Sequence, residues 1–257
     1  MVNFAENSRP SVEEFEGIDN IRDLGGMAAP SGSFIPAGRI FRSDALVGAT
    51  EHDRDLLFGK LKVDLIIDLR TAAEAGGDGL EDRRLFPNVD SVRFSIVPEG
   101  RVGREPFPDG TDAVALAHEY LRMLSNGEAA VKSTLEAIAD AFDSDRVVLY
   151  HCAAGRDRTG VVTAILASLM GIRRQEIVYD FLMTNMSYER VEAKLRTNPI
   201  YRSPETADRR TALLKPESIR DFLDLLRAEN GGYEQWAERV GVSSRALHTL
   251  RGIPTDA

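Results

Sequence analysis

The chain is nearly devoid of cysteine. Cys152 is the only one in 257 residues, and one thiol excludes an internal disulfide framework and a multi-cysteine zinc site. A surplus of positive charge is also missing: 41 Asp and Glu stand against 32 Lys and Arg, a net charge of −9. That balance argues against general binding to nucleic acid or to anionic membranes, which needs a basic field over much of the surface. Long hydrophobic runs are absent as well. The longest, Val161–Met170, is too short and too rich in small and hydroxylated residues to span a bilayer. Met1–Gly17 holds Glu6, Glu13, Glu14 and Glu16 and has no apolar stretch of signal-peptide length. His52, His118 and His248 show no metal-ligand spacing, so neither metal nor organic cofactor is expected. These absences predict a cytoplasmic protein with no nucleic-acid partner and no stable membrane insertion, although a cysteine-poor secreted protein fits the composition too. Oligomeric state leaves no mark in the sequence.

What is present is the balance of a globular protein, 43% hydrophobic and 28% charged residues. One domain over residues 1–257 is expected, with residues 1–17 as a flexible N-terminal segment. Ile18–Ser43 reads as short extended segments broken by Gly25-Gly26 and Pro30-Ser31-Gly32, a hairpin region. Val63–Ile67, Ser91–Val97 and Arg146–Tyr150 read as strands, the first a continuous apolar run as in a strand buried on both faces. Helical periodicity follows Val114, Ala117, Leu121 and Leu124, then Val131, Leu135, Ile138 and Phe142. Further helices fit Thr159–Met170, Arg174–Met183, Tyr188–Arg196, Glu217–Glu229 and Ser243–Leu250. Alternation of this kind predicts an α/β fold: a central, mostly parallel sheet flanked by helices, with a largely helical C-terminal half. Thr197–Pro216, with three prolines and no period, is expected to be a surface connection or a lid over a site.

The chemistry concentrates in Val147–Gly160, VVLYHCAAGRDRTG. A buried strand ends at His151, Cys152 follows, and after five residues Arg158 and Thr159 open a helix. In an open α/β sheet, ligands bind beyond the carboxyl ends of the strands, where Cys152 falls. Backbone amides from Ala153 through Ala154, Gly155, Arg156 and Asp157 can curl around an anion, and Gly155 permits the dihedrals this requires. The helix presents its positive end to the same spot. Arg158 offers a planar fork to two phosphate oxygens. Such surroundings lower a thiol pKa from about 8.5 into roughly the 3.5–7.5 range, which makes Cys152 a candidate nucleophile toward phosphorus.

His151-Cys152, five residues and Arg158-Thr159-Gly160 resemble the signature loop of the cysteine-dependent protein tyrosine phosphatase superfamily. The inner form CAAGRDRTG is similar to that of the atypical bacterial tyrosine and lipid phosphatases of the protein tyrosine phosphatase B type. Asn20–Gly26 (NIRDLGG), Gly38–Ser43 (GRIFRS), Asp68-Leu69-Arg70 and the helical tail from Tyr179 to Leu250 extend the resemblance over nearly the whole chain. It implies a cysteine-dependent phosphatase-like fold and hydrolysis of phosphotyrosine, phosphoserine, phosphothreonine or phosphoinositides, so the expected partner is a phosphorylated protein or a phosphoinositide. Cys152 is implied as nucleophile and Arg158 as phosphate-binding arginine. Ala153, Ala154, Gly155, Arg156 and Asp157 supply loop amides, and Thr159 assists the departing sulfur. Arg156 stands where the subgroup usually has lysine, which bears on the choice between lipid and peptide substrates.

Three aspartates compete for the role of general acid: Asp157, which resembles the subgroup's proposed acid, Asp68 at a strand end, and Asp109 in Pro108-Asp109-Gly110. For Asp157 the plainer reading is a loop-fixing acceptor, and for Asp68 a pair with Arg70. His151 is expected to hold the loop and Trp236 to lie in the core. Arg22, Arg42 and Arg70 either line a phosphate pocket or form ion pairs. Arg173-Arg174 reads as the basic end of a helix. Two other functions share these residues: an idle module that binds phosphorylated ligands, and another thiol enzyme. A binder has no need of the thiol, and cysteine-relay arsenate reduction needs thiols this chain lacks.

Overall fold

The computed structural model describes residues 14–77, 81–98, 112–201 and 213–254. Five strands, β1 (Arg22–Asp23), β2 (Ile40–Ser43), β3 (Val63–Asp68), β4 (Asp90–Arg93) and β5 (Val147–His151), form one sheet in the order β1-β2-β5-β3-β4. Only the β1–β2 pair is antiparallel. The hairpin expected over 18–43 is therefore an antiparallel pair, with a second contact at Ala28 and Phe34. The strand expected over 91–97 is shorter, because Phe94 and Ile96 leave the ladder to bond the carbonyls of Asp68 and Leu69.

Strand side chains divide by the two-residue period. Ile40, Leu65, Ile67, Val148 and Tyr150 enter the larger core, and Phe41, Ile66 and Leu149 the smaller. Both faces are covered, which explains the unbroken apolar run in β3. The smaller layer holds Phe15, Ile18, Leu46, Leu57 and Phe86. Leu57 comes from the π-helical turn Asp55–Lys60, which follows α1 (Glu51–Arg54), and Phe86 directly follows α2 (Glu81–Leu85), whose Leu85 packs against the same layer. Phe15 is buried, and the amides of Glu16 and Gly17 donate to Asp53. Residues 1–13 of the segment expected to be flexible lie outside the described residues.

The larger layer comprises α3 (Ala113–Asn126), α4 (Glu128–Asp143), α5 (Asp157–Leu169), α6 (Arg174–Met183), α7 (Tyr188–Leu195), α8 (Pro216–Asn230), α9 (Tyr233–Arg239) and α10 (Ser244–Gly252). Every residue of α5 from Arg158 to Leu169 is buried. Its apolar run thus belongs to a central helix with no solvent face, at roughly 1.5–3 kcal/mol for each fully buried Val, Leu or Ile. Among the described residues no helix is long and apolar enough to cross a membrane. Trp236 is buried in this layer. Arg173-Arg174 is corrected: α5 has already ended, Arg173 caps the start of α6, and Arg174 pairs with Asp224 of α8 at 2.7 Å.

Candidate active site

Ser43, His151, Asp68 and Arg93 are register partners across four parallel strands, so the carboxyl ends of β2, β5, β3 and β4 lie level. Cys152, 2% exposed, is the first residue past this edge. The carbonyls around it are all engaged. His151 O accepts from Leu69 N at 2.8 Å, and Ala153 O from Ala45 N at 3.1 Å. Cys152 O accepts from His151 Nδ1 at 3.1 Å. Asn20 Nδ2 donates to Ala154 O at 2.9 Å and to Gly155 O at 3.1 Å. Arg42 Nη2 also donates to Gly155 O, at 2.6 Å, and Gly160 N donates to Arg156 O at 2.9 Å. In a trans peptide the next N–H points away from its carbonyl. Among the described residues nothing accepts from the amides of 153–158. A loop whose carbonyls are all used and whose amides are all spare is a cradle for an anion.

A ring of side chains holds it from beneath. Asn20 Oδ1 accepts from Arg22 Nη1 at 2.6 Å, and Arg22 Nε donates to Asp180 Oδ1 at 2.7 Å. Asp180 Oδ2 accepts from Arg42 Nη1, and Arg42 returns to Gly155 O. Burial alone would raise the Asp180 pKa, but the two guanidiniums outweigh it and hold the carboxyl below its ordinary range. Arg22 and Arg42 are thus ion-paired supports of the loop. At Gly155, φ is +64°, and a Cβ there would lie 2.5 Å from Ser43 O. Only glycine fits the turn.

The two charged ends of the loop face different partners. Arg158 Nη1 and Nη2 donate to Glu74 Oε2 and Oε1 at 2.7 and 2.6 Å. Glu74 also accepts from Thr71 N and Oγ1 at 2.9 Å and from the Tyr201 hydroxyl. Burial opposes its charge, yet Arg158 and these donors bring its pKa down to about 2. Asp157 Oδ1 accepts from the Tyr120 hydroxyl at 2.8 Å, while Arg156 Nε lies 3.2 and 3.1 Å from its two oxygens. The Thr159 hydroxyl is buried with no hydrogen-bond partner among the described residues.

His151 is fully buried and donates from Nε2 to Asp82 Oδ2 at 2.8 Å. Burial disfavours its charge, but Asp82 and Asp68 outweigh burial and raise its pKa, as an imidazolium with two donors requires. Asp68, Asp82 and His151 bring three ligand atoms within 4.8 Å of one another. Arg70 already occupies that cluster, with Nε and Nη2 each 2.9 Å from Asp68 and Nη1 2.7 Å from Glu81. Asp68 is therefore clasped by Arg70. Pro108-Asp109-Gly110 and residues 202–212 of the possible lid lie outside the described residues. The nearer part of that segment, with Ile200 and Tyr201, lines a cavity of about 450 Å³ beside Ala153 and Glu74.

Sequence reasoning missed Asn20's grip on the loop, Glu74, Asp82, Tyr120 and Asp180. Only Glu74 left a legible signal. Thr71-x-x-Glu74 is a capping-box pattern, and Thr71 does exchange bonds with it. Nothing local links it to Arg158.

The profile of the tyrosine phosphatase family matches residues 13–254. A tyrosine-protein phosphatase of Nostoc commune is similar at 28% identity over 96% of this chain and 85% of its own length. The triple specificity protein phosphatase PtpB of Mycobacterium tuberculosis is similar at 26% identity over 95% and 99%. P. aeruginosa TpbA, a solved structure, covers 69% of this chain and 92% of its own at 12% identity and a TM-score of 0.31, too slight a likeness to bear on the fold.

Proposed function

The chain belongs to the tyrosine phosphatase family and is an enzyme that hydrolyses phosphate esters; from that premise we propose that it works through a phosphocysteine on Cys152. The supporting observation is the loop's inventory of bonds, with every carbonyl from 151 to 156 engaged and the amides of 153–158 without an acceptor among the described residues. Cys152 Sγ attacks phosphorus as thiolate, the S–P bond forms, and the bond to the leaving oxygen breaks. Asp157 gives that oxygen a proton. Water then attacks phosphorus, Asp157 takes a proton back, and the S–P bond breaks to release inorganic phosphate. Ala153 to Asp157 and Arg158 hold the transferring oxygens. Thr159, whose hydroxyl is uncommitted, donates to the departing sulfur.

We take the substrates to be phosphorylated proteins, phosphoinositides or both. The name of the mycobacterial relative, a triple specificity phosphatase, supports testing several phosphate classes together. A phosphate-release panel of phosphopeptides, phosphoinositides and an aryl phosphate should lose essentially all turnover in Cys152→Ser, because a hydroxyl is not appreciably ionised there. Undiminished turnover in that variant ends the proposal. Asp157→Asn should slow substrates with poor leaving groups most.

A further inference from the structure

Tyr120 of α3 is fully buried, its ring met edge-on by Phe181 of α6 and Phe222 of α8 at centroid distances of 6.0 and 6.1 Å. Its hydroxyl is the one polar atom of the side chain, and it is aimed out of that aromatic packing at Asp157 Oδ1, 2.8 Å away. Burial and the neighbouring carboxylate push the phenol pKa well up, so the group stays a donor throughout the working range. Among the described residues, the carboxylate otherwise meets Arg156 alone, which reaches both of its oxygens through Nε.

We propose that Tyr120 is a positioning residue for Asp157: by its short bond to Oδ1 it fixes the carboxyl group so that Oδ2, which meets only the longer contact from Arg156 at 3.1 Å, carries the proton delivered to the leaving oxygen. As that proton departs, negative charge develops on the carboxyl group and the Tyr120 bond becomes charge-assisted, hence stronger. The interaction then grows toward the transition state, where it accelerates the step. This role rests on Asp157 being the acid.

The test uses the full chain and phosphate esters graded from 2,4-dinitrophenyl to phenyl and alkyl leaving groups. Tyr120→Phe keeps the ring and removes only the hydroxyl. Its kcat should fall about tenfold on the poorest leaving group and less than about twofold on the best, within the span of general acid catalysis. KM should stay near wild type. The double variant with Asp157→Asn should be no slower than Asp157→Asn alone, since one residue acts through the other. Phe222→Leu disturbs the packing of the same ring and leaves the hydroxyl; it should lower the melting temperature without selecting among leaving groups. A steep leaving-group dependence in Asp157→Asn with a flat one in Tyr120→Phe, or additive losses in the double variant, overturns the positioning role. A flat dependence in Asp157→Asn itself overturns the acid assignment, and the role of Tyr120 falls with it.

Discussion

Arg156 is the residue just before α5, and Arg158, two positions on, lies in its first turn. They carry the same chemistry into different surroundings. Arg158 meets Glu74, 84 residues away, end-on through both terminal nitrogens. Glu74 is itself pinned by Thr71 and Tyr201. Arg156 turns the other way and meets the carboxylate of the next residue. One arginine is therefore oriented by the fold and the other by its chain neighbour. A guanidinium has five N–H groups, and Glu74 takes one from each terminal nitrogen of Arg158. Nη1 also reaches Leu69 O at 3.5 Å, which leaves Nε and the second Nη2 hydrogen without an acceptor among the described residues, the side-on fork that the proposed phosphate contact would use.

Exchange to lysine tests that contrast most severely. Arg158→Lys removes both the grip on Glu74 and the fork, so phosphate release should fall about 10²–10³-fold, as when a fixed transition-state donor is lost. A loss under threefold would abolish the distinction between the two arginines. Glu74→Gln keeps the chemistry of Arg158 and loosens its aim, which should cost on the order of 10²-fold in kcat/KM. It should also destabilise the protein by roughly 3 kcal/mol, because a buried guanidinium loses its counter-charge. The same pair sets a pH dependence. Glu74 titrates near 2 when folded and near its ordinary 4.5 when unfolded. A depressed carboxyl stabilises above the unfolded value, so the contribution, on the order of 3 kcal/mol, should be lost as pH falls from 4.5 toward 2. Denaturant titrations across that window should show the loss in the wild type and a flatter profile in Glu74→Gln. Arg156→Lys should have the smallest effect, within about threefold on an aryl phosphate, since lysine there restores a cation of different donor geometry. A loss as large as that of Arg158→Lys would mean the locally held arginine also grips phosphate.

The sequence was most readable where period and chain neighbours decide the outcome. The β3 run, the α3 and α4 stripes and the strand–loop–helix around Cys152 follow from local pattern. Proline at the first turn of α8 marks that helix in the usual way. The supports of the site were not readable, because each is a single polar residue that matters only through a distant partner. Asp180 lies in an ordinary helical stretch, and Tyr120 looks like one more core position on an apolar stripe. Asp68 shows the opposite case. It looked like a candidate acid by its place at a strand end, and its carboxylate is clasped by Arg70 two residues later.

The ring beneath the loop also bears on how the protein acquires its shape. Asn20 and Ala154 are 134 positions apart, Arg42 and Gly155 are 113, and Arg22 and Asp180 are 158. Contacts of such separation close only after long stretches of chain have been ordered, and they slow folding accordingly. A chain emerging from synthesis exposes the Cys152 segment before α6 can bring Asp180 to it, so the thiol exists before the cradle does. On refolding, phosphatase activity is therefore expected to return only once these long-range contacts have closed, later than the helical signal.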